Sequence, residues 1–273
     1  LEETKIAIVC MNCRPGEIER NLEKTEYFAQ EASSLGARFI CFPELSVTGY
    51  LLKAPFDVYS GSEFSQSVDR LVEISKKTGI LMLAGLIEIP EEGNPFISHI
   101  VVNPRGNVGT YRKTHLSPAE GKVYQEGEDI RVFSLGGFVF GIQLCYEAHF
   151  PEISTIMALD GAHIIFVPHA SPRGEPDSKL KSWLRHLRAR AFDNGLYVVA
   201  CNQVGSTSEG MDFPGVAVAL GPDGRILSSY VGEDEKLLMV DVNADMLKEV
   251  RNHRMKYFIP KRRPELYKKI ADL

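Results

Sequence analysis

The chain has 273 residues, 44 % apolar and 25 % charged, the balance of a globular protein. A chain of this length can bury about 75 % of its unfolded surface, so it needs no disulfide or metal staples. Lys and Arg number 31 against 36 Asp and Glu, a net charge of −5; this excludes a broad basic nucleic-acid surface, which needs clustered cations, but not a small anionic substrate. No apolar run approaches the roughly 18 residues of a membrane helix. The start, Leu1-Glu2-Glu3-Thr4-Lys5, is too polar for a signal peptide, so a cytoplasmic protein without a membrane partner is expected.

Residues 5–10 are short, apolar and β-branched, which predicts a buried strand. Pro15 suits the first turn of a helix carrying Ile18, Leu22, Ala29 and Ala32 at helical spacing, with Gly36 as its stop. Residues 38–42 form the next strand, and the β-α-β order implies parallel strands in one sheet. After a loop, a helix near 64–78 ends at Gly79. Residues 80–89, 96–103 and 107–112 then read as antiparallel strands joined by turns. The alternation resumes with a strand at 138–144, a helix from Pro151 to Gly161, a strand at 163–167 and a helix over 178–194. Strands at 196–202, 215–220, 226–231 and 236–242 and a short helix at 243–251 complete the pattern. About a dozen strands and five helices without a linker predict one α/β domain over 1–273: a four-layer α-β-β-α sandwich of two mixed sheets flanked by helices. The tail, about 252–273, mixes aromatics with arginines, a composition enriched at interfaces.

The five cysteines are Cys10, Cys13, Cys41, Cys145 and Cys201. An odd number in a cytosolic chain argues against a disulfide framework. Cys10-x-x-Cys13 has the spacing of half a zinc site, but no second pair completes it.

Ligands in α/β sheets bind beyond the carboxyl ends of strands. Three predicted strands end in residues a core would not choose: Phe42-Pro43-Glu44, Gln143-Leu144-Cys145 and Val167-Pro168-His169. Between them Tyr111-Arg112-Lys113-Thr114-His115-Leu116 runs from a strand into a polar loop. Taken singly, Cys145 reads as a buried thiol, Lys113 as a solvated charge, Glu44 as a cap, and His149 and His169 as ordinary histidines. Together, Glu44, Lys113 and Cys145 supply what nucleophilic catalysis needs: a thiol, a base for its proton and a cation for the anion formed during attack.

Phe42-Pro43-Glu44-Leu45 with Thr48-Gly49-Tyr50, the Lys113 block, and Cys145-Tyr146-Glu147-x-x-Phe150-Pro151-Glu152 resemble, in order, the three signature blocks of the nitrilase superfamily, the carbon–nitrogen hydrolases. The resemblance continues through Trp183, Arg188–Asn194, Asn202-Gln203-x-Gly205 and Arg262–Tyr267, and so spans nearly the whole chain. It implies the α-β-β-α fold, Cys145 as nucleophile, Glu44 as general base and Lys113 as stabiliser of the tetrahedral intermediate. It also implies a second glutamate after the lysine, for which Glu120 and Glu126 compete; Glu120 is chosen because Gly127 then falls at the family's spacing. Tyr50, Tyr146, His149 and His169 are the expected substrate-binding residues. Arg173 is the expected clamp should the substrate carry a carboxylate, because Ala148 and His149 stand where relatives often place arginine. Family members pair as dimers or larger homo-oligomers, which is the role expected of the tail.

The implied reaction is thioester-mediated hydrolysis of a small amide or N-carbamoyl amine, with neither metal nor organic cofactor. Tyr146-Glu147 mixes the amidase and nitrilase patterns after the cysteine, so nitrile hydrolysis is the alternative. A non-catalytic binding protein on the same fold is a second, opposed by the complete Glu-Lys-Cys set. A Cys-His hydrolase with His149 as base would leave Glu44 and Lys113 unexplained.

Overall fold

The computed structural model describes residues 3–53, 59, 61–135, 137–208 and 210–271, so the last two residues of the expected tail lie outside it. The chain runs through β1 (Thr4–Cys10), α1 (Ile18–Ser34), β2 (Phe39–Cys41), α2 (Gly61–Thr78), β3 (Leu81–Glu88), β4 (Phe96–Asn103) and β5 (Gly106–Arg112). It continues with β6 (Val132–Leu135), β7 (Phe138–Ile142), α3 (Pro151–Leu159), β8 (Ile164–Pro168), α4 (Pro176–Asn194) and β9 (Tyr197–Cys201). Last come β10 (Gly205–Ser206), β11 (Asp212–Phe213), β12 (Gly215–Leu220), β13 (Ile226–Gly232), β14 (Lys236–Val242), α5 (Ala244–Asn252) and α6 (Lys268–Ala271).

Two six-stranded sheets form, in the orders β14-β1-β2-β3-β4-β5 and β13-β12-β9-β8-β7-β6. Each has a parallel centre, β1-β2-β3 and β7-β8-β9, where helices cross over, and antiparallel flanks. Strand β1 shows how the layers arise from a period of two. Ile6, Ile8 and Cys10 enter the core shared with the second sheet. Ala7, Val9 and Met11 pack with Leu22, Phe28 and Ala29 of α1 and with Leu71 and Ile74 of α2. Ile153 and Met157 of α3, with Leu187 and Ala191 of α4, join the core of the other sheet. This is the α-β-β-α sandwich expected from the strand count.

Three details differ from the sequence reading. Helix α1 starts at Ile18 rather than around Pro15, because Gly16 takes φ +78° and breaks the helical path. Strand β6 was hidden in the polar loop after Lys113; it is an edge strand defined by its pairing with β7. Strands β13 and β14 are consecutive yet belong to different sheets, β14 pairing with β1 over its whole length. The Cys10-x-x-Cys13 pair gathers no further ligands: both thiols are free and buried, and no metal-ligating cluster occurs among the described residues.

One close approach shapes the site. After β2 the chain crosses β3 instead of turning away, with Phe42 N–H on Leu83 O and Val47 N–H on Gly85 O, both at 2.9 Å. A Cβ on Gly85 would lie 2.2 Å from the Leu45 nitrogen, so only glycine permits the crossing. Leu45 meets it with φ +54°. The crossing carries Glu44 from the end of β2 towards β5, three strands further along the sheet.

Candidate active site

The first sheet delivers Glu44 after β2 and Lys113 after β5; the second delivers Cys145 after β7 and His169 after β8. The Lys113 ammonium is fully buried and donates to Glu44 Oε1 at 2.8 Å, to Glu120 Oε1 at 2.8 Å and to Glu120 Oε2 at 2.9 Å. Glu44 Oε2 accepts from the Ala170 N–H at 3.0 Å, which ties the first sheet's carboxylate to the second sheet's loop. Glu120 opens a short 3-10 turn, Glu120–Lys122, and accepts from Ser117 N–H at 2.7 Å and from the Tyr50 hydroxyl at 3.1 Å. Glu126 is exposed and lines a separate cleft with Glu88, Arg112 and Arg131. The geometry thus sets Glu120, not Glu126, beside Lys113.

Cys145 starts a 3-10 turn, Cys145–His149, with φ +46°, a conformation L-residues enter only at a cost of about 1–2 kcal/mol. Buried Glu147 holds that turn. Its carboxylate accepts from Leu144 N–H at 2.5 Å, Thr114 N–H at 2.7 Å, Thr114 Oγ1 at 2.6 Å and the Tyr111 hydroxyl at 2.9 Å. The same side chain therefore pins the cysteine turn to Tyr111 and Thr114, on either side of Lys113. Gln143 adds a second pin, donating to Glu147 O at 2.6 Å while accepting from Ser154 Oγ at 2.7 Å.

The electrostatics follow from burial around one cation. Burial pushes Glu44 up to about 7, aided by the Glu120 charge and opposed by Lys113. Burial works against the Glu120 charge too, yet Lys113 and the Ser117 donors hold this carboxylate below its usual range. Burial disfavours the Lys113 ammonium, but Glu44 and Glu120 together keep it charged, above its ordinary value. Burial and the facing Glu44 push the Cys145 thiol up, so the resting group is a thiol and not the pre-formed thiolate of some reactive cysteines. Such a set can move a proton from sulfur to carboxylate during attack and hold an anion on a fixed ammonium.

A cavity of about 280 Å³ opens onto Cys145. Of the expected binding residues, Tyr50, Tyr146, His149 and His169 line it. His169 is stacked on Trp183, ring centroids 3.8 Å apart, and its Nδ1 faces Val167 O at 2.7 Å. Burial keeps that imidazole neutral, well below its ordinary value. Exposed His149 lies 4.4 Å, centroid to centroid, from the ring of His186. Arg173 is a correction. It is exposed, with φ +71° and its N–H on Asp212 O, and it does not line the cavity. The cation that does is Lys179, from the opening turn of α4, together with Ser182, Trp183 and His186 one and two turns on. The sequence reading does not single out Lys179. Its signal was position: a cation in a helix's first turn opposes the helix dipole.

Residues 5–252 match the carbon–nitrogen hydrolase family. The chain is 30 % identical over 277 aligned positions to a nitrilase of Pyrococcus abyssi, covering 96 % of this chain and 98 % of that one. It is 27 % identical to an N-carbamoylputrescine amidase of Arabidopsis thaliana, covering 94 % and 92 % of the two chains. Among solved structures it is similar to a mutant amidase from Nesterenkonia sp. AN1, in which acrylamide has added to the active-site cysteine. There the TM-score is 0.82 and the identity 28 %, over 97 % of this chain and 99 % of that one.

Proposed function

The chain belongs to the carbon–nitrogen hydrolase family, the nitrilase superfamily, and on that premise we propose that it hydrolyses a small amide or N-carbamoyl amine through a thioester on Cys145. The observation that carries this reading is the buried ammonium of Lys113 bridging Glu44 and Glu120 beside a half-buried thiol at the end of a small cavity. Glu44 takes the Cys145 proton as sulfur bonds to the carbonyl carbon. Lys113 and the Tyr146 N–H, which lies second in the 3-10 turn and has no partner within it, hold the oxyanion. The carbon–nitrogen bond then breaks, and Glu44 returns the proton to the leaving ammonia or amine. Water attacks the thioester, giving one proton to Glu44; the acid departs and sulfur regains its proton. Glu120 orients Lys113 and the substrate. Similarity over nearly the whole chain to a solved amidase supports the amide over the nitrile. The test is ammonia release from a panel of small amides, N-carbamoyl amines and nitriles; nitriles alone as substrates would overturn the choice.

The pH profile should report Glu44. Only its ionised form accepts the thiol proton, and burial sets the group near 7. kcat/KM is therefore expected to fall about tenfold per pH unit below 7 and to level off above it. An acidic limb near 4.5, the ordinary carboxyl value, would remove Glu44 from that role.

Assembly is a further expectation. Phe258 packs against Phe192 at 5.6 Å, yet both remain 40 % exposed, and Leu159 at 60 % and Met255 at 73 % are exposed as well. Exposed apolar groups of this size suit an isologous contact, so light scattering at micromolar concentration should give a homodimer or larger. A monomer there would refute it.

A further inference from the structure

Lys179 is a cation at an unfavourable place in its helix. It is the fourth residue of α4, where the helix dipole disfavours a cation. Its ammonium is half-buried in the wall of the Cys145 cavity, and two neutral acceptors hold it there: Ser171 Oγ at 2.9 Å and Pro172 O at 3.0 Å. An ammonium has three donors, so one is left over. Among the described residues no carboxylate pairs with it. Among the described residues Glu120 is the one carboxylate lining the cavity, and it is already committed to Lys113. The histidines that share the wall, His149, His169 and His186, are all disfavoured as cations by burial. This wall therefore presents one fixed positive charge, reinforced by a helix N-terminus, with no carboxylate among the described residues to neutralise it.

We infer that Lys179 anchors an anionic group at the far end of the substrate, so that the preferred substrates are short amides or carbamoyl compounds ending in a carboxylate. The inference rests on the hydrolase reading for its reaction, but the anion site itself does not depend on turnover. Burial lowers Lys179 from its ordinary range, with only the Cys145 sulfur acting the other way, and a bound carboxylate would supply the missing partner. A substrate ending in an ammonium, such as a carbamoylated diamine, meets like charge there and is disfavoured.

The test compares butyramide, succinamate and 4-aminobutyramide, which differ at the distal end, as substrates of the wild type and as ligands of Cys145→Ala by calorimetry. Succinamate should exceed butyramide in kcat/KM and in affinity by about tenfold or more, and 4-aminobutyramide should fall below both. Lys179→Gln should lose most of the succinamate advantage, and Lys179→Arg should retain it. Equal use of succinamate and butyramide by the wild type overturns the proposal. So does a Lys179→Gln variant that weakens both substrates alike, since that is what loss of the Ser171 and Pro172 ties alone would do. If no amide is turned over while succinamate binds Cys145→Ala in a Lys179-dependent way, the anion site stands and the hydrolase reading falls. If succinamate neither binds nor reacts, the anion site falls.

Discussion

Cys145→Ala is expected to lower amide hydrolysis by at least about ten-thousandfold while leaving the fold and its melting transition nearly unchanged. The size follows from the chemistry: without sulfur no thioester forms, and only positioning and oxyanion stabilisation remain. The fold should survive because Cys145 is the least buried of the five cysteines and removal of one sulfur there opens onto an existing cavity. Cys10, Cys13, Cys41 and Cys201 are buried and lie away from the cavity wall, so their alanine variants should keep the activity of whatever fraction folds. Iodoacetamide should label Cys145 first. The thiol is not pre-ionised; it is accessible and faces a carboxylate that can take its proton, so Glu44→Gln should slow the labelling. Full hydrolysis by Cys145→Ala would exclude the thioester route.

Glu120→Gln should be the second most damaging of the changes considered, and in a distinctive way. It removes one of two negative charges facing a fully buried ammonium. Breaking a buried pair from one side costs about 3–5 kcal/mol, towards the lower end here because Glu44 still faces Lys113. Small displacements of Lys113 and the substrate should cost about a hundredfold in turnover. The pH profile carries the signature. The Glu120 charge helps to hold Glu44 near 7; without it Glu44 ionises more easily, so the acidic limb should move to lower pH even as the maximum falls. Glu126→Gln, at an exposed carboxylate in a different cleft, should match the wild type in rate, stability and pH dependence. Equal behaviour of the two variants would remove Glu120 from the site.

Much was legible in the sequence because the information was local. A period of two along residues 5–10, a period of 3.6 along 15–36 and 178–194, and the glycines that end helices each report a backbone geometry set within a few residues. Strands ending in Phe-Pro-Glu, Leu-Cys and Pro-His stand out because a polar or reactive group at the mouth of an apolar strand has few structural uses. Strand β6 was not legible, since an edge strand of four residues owes its existence to its partner β7.

By itself, then, the sequence determined the order of the longer elements, the four-layer architecture and the three strand ends that carry Glu44, Lys113 and Cys145. The tertiary structure alone decided which loop side chains turn inward. Glu120 and Glu126 lie on the same polar loop, and only the backbone path that gives Glu120 the Ser117 N–H and the Tyr50 hydroxyl puts its carboxylate on Lys113. Arg173 and Lys179 are six positions apart near the start of α4, but a positive φ turns the chain at Arg173 while the helix carries Lys179 back over the cavity. The physical reason is the same in both cases. In a helix or strand the repeat dictates where a side chain points, whereas in a loop the direction is set by hydrogen bonds to residues far away in the sequence.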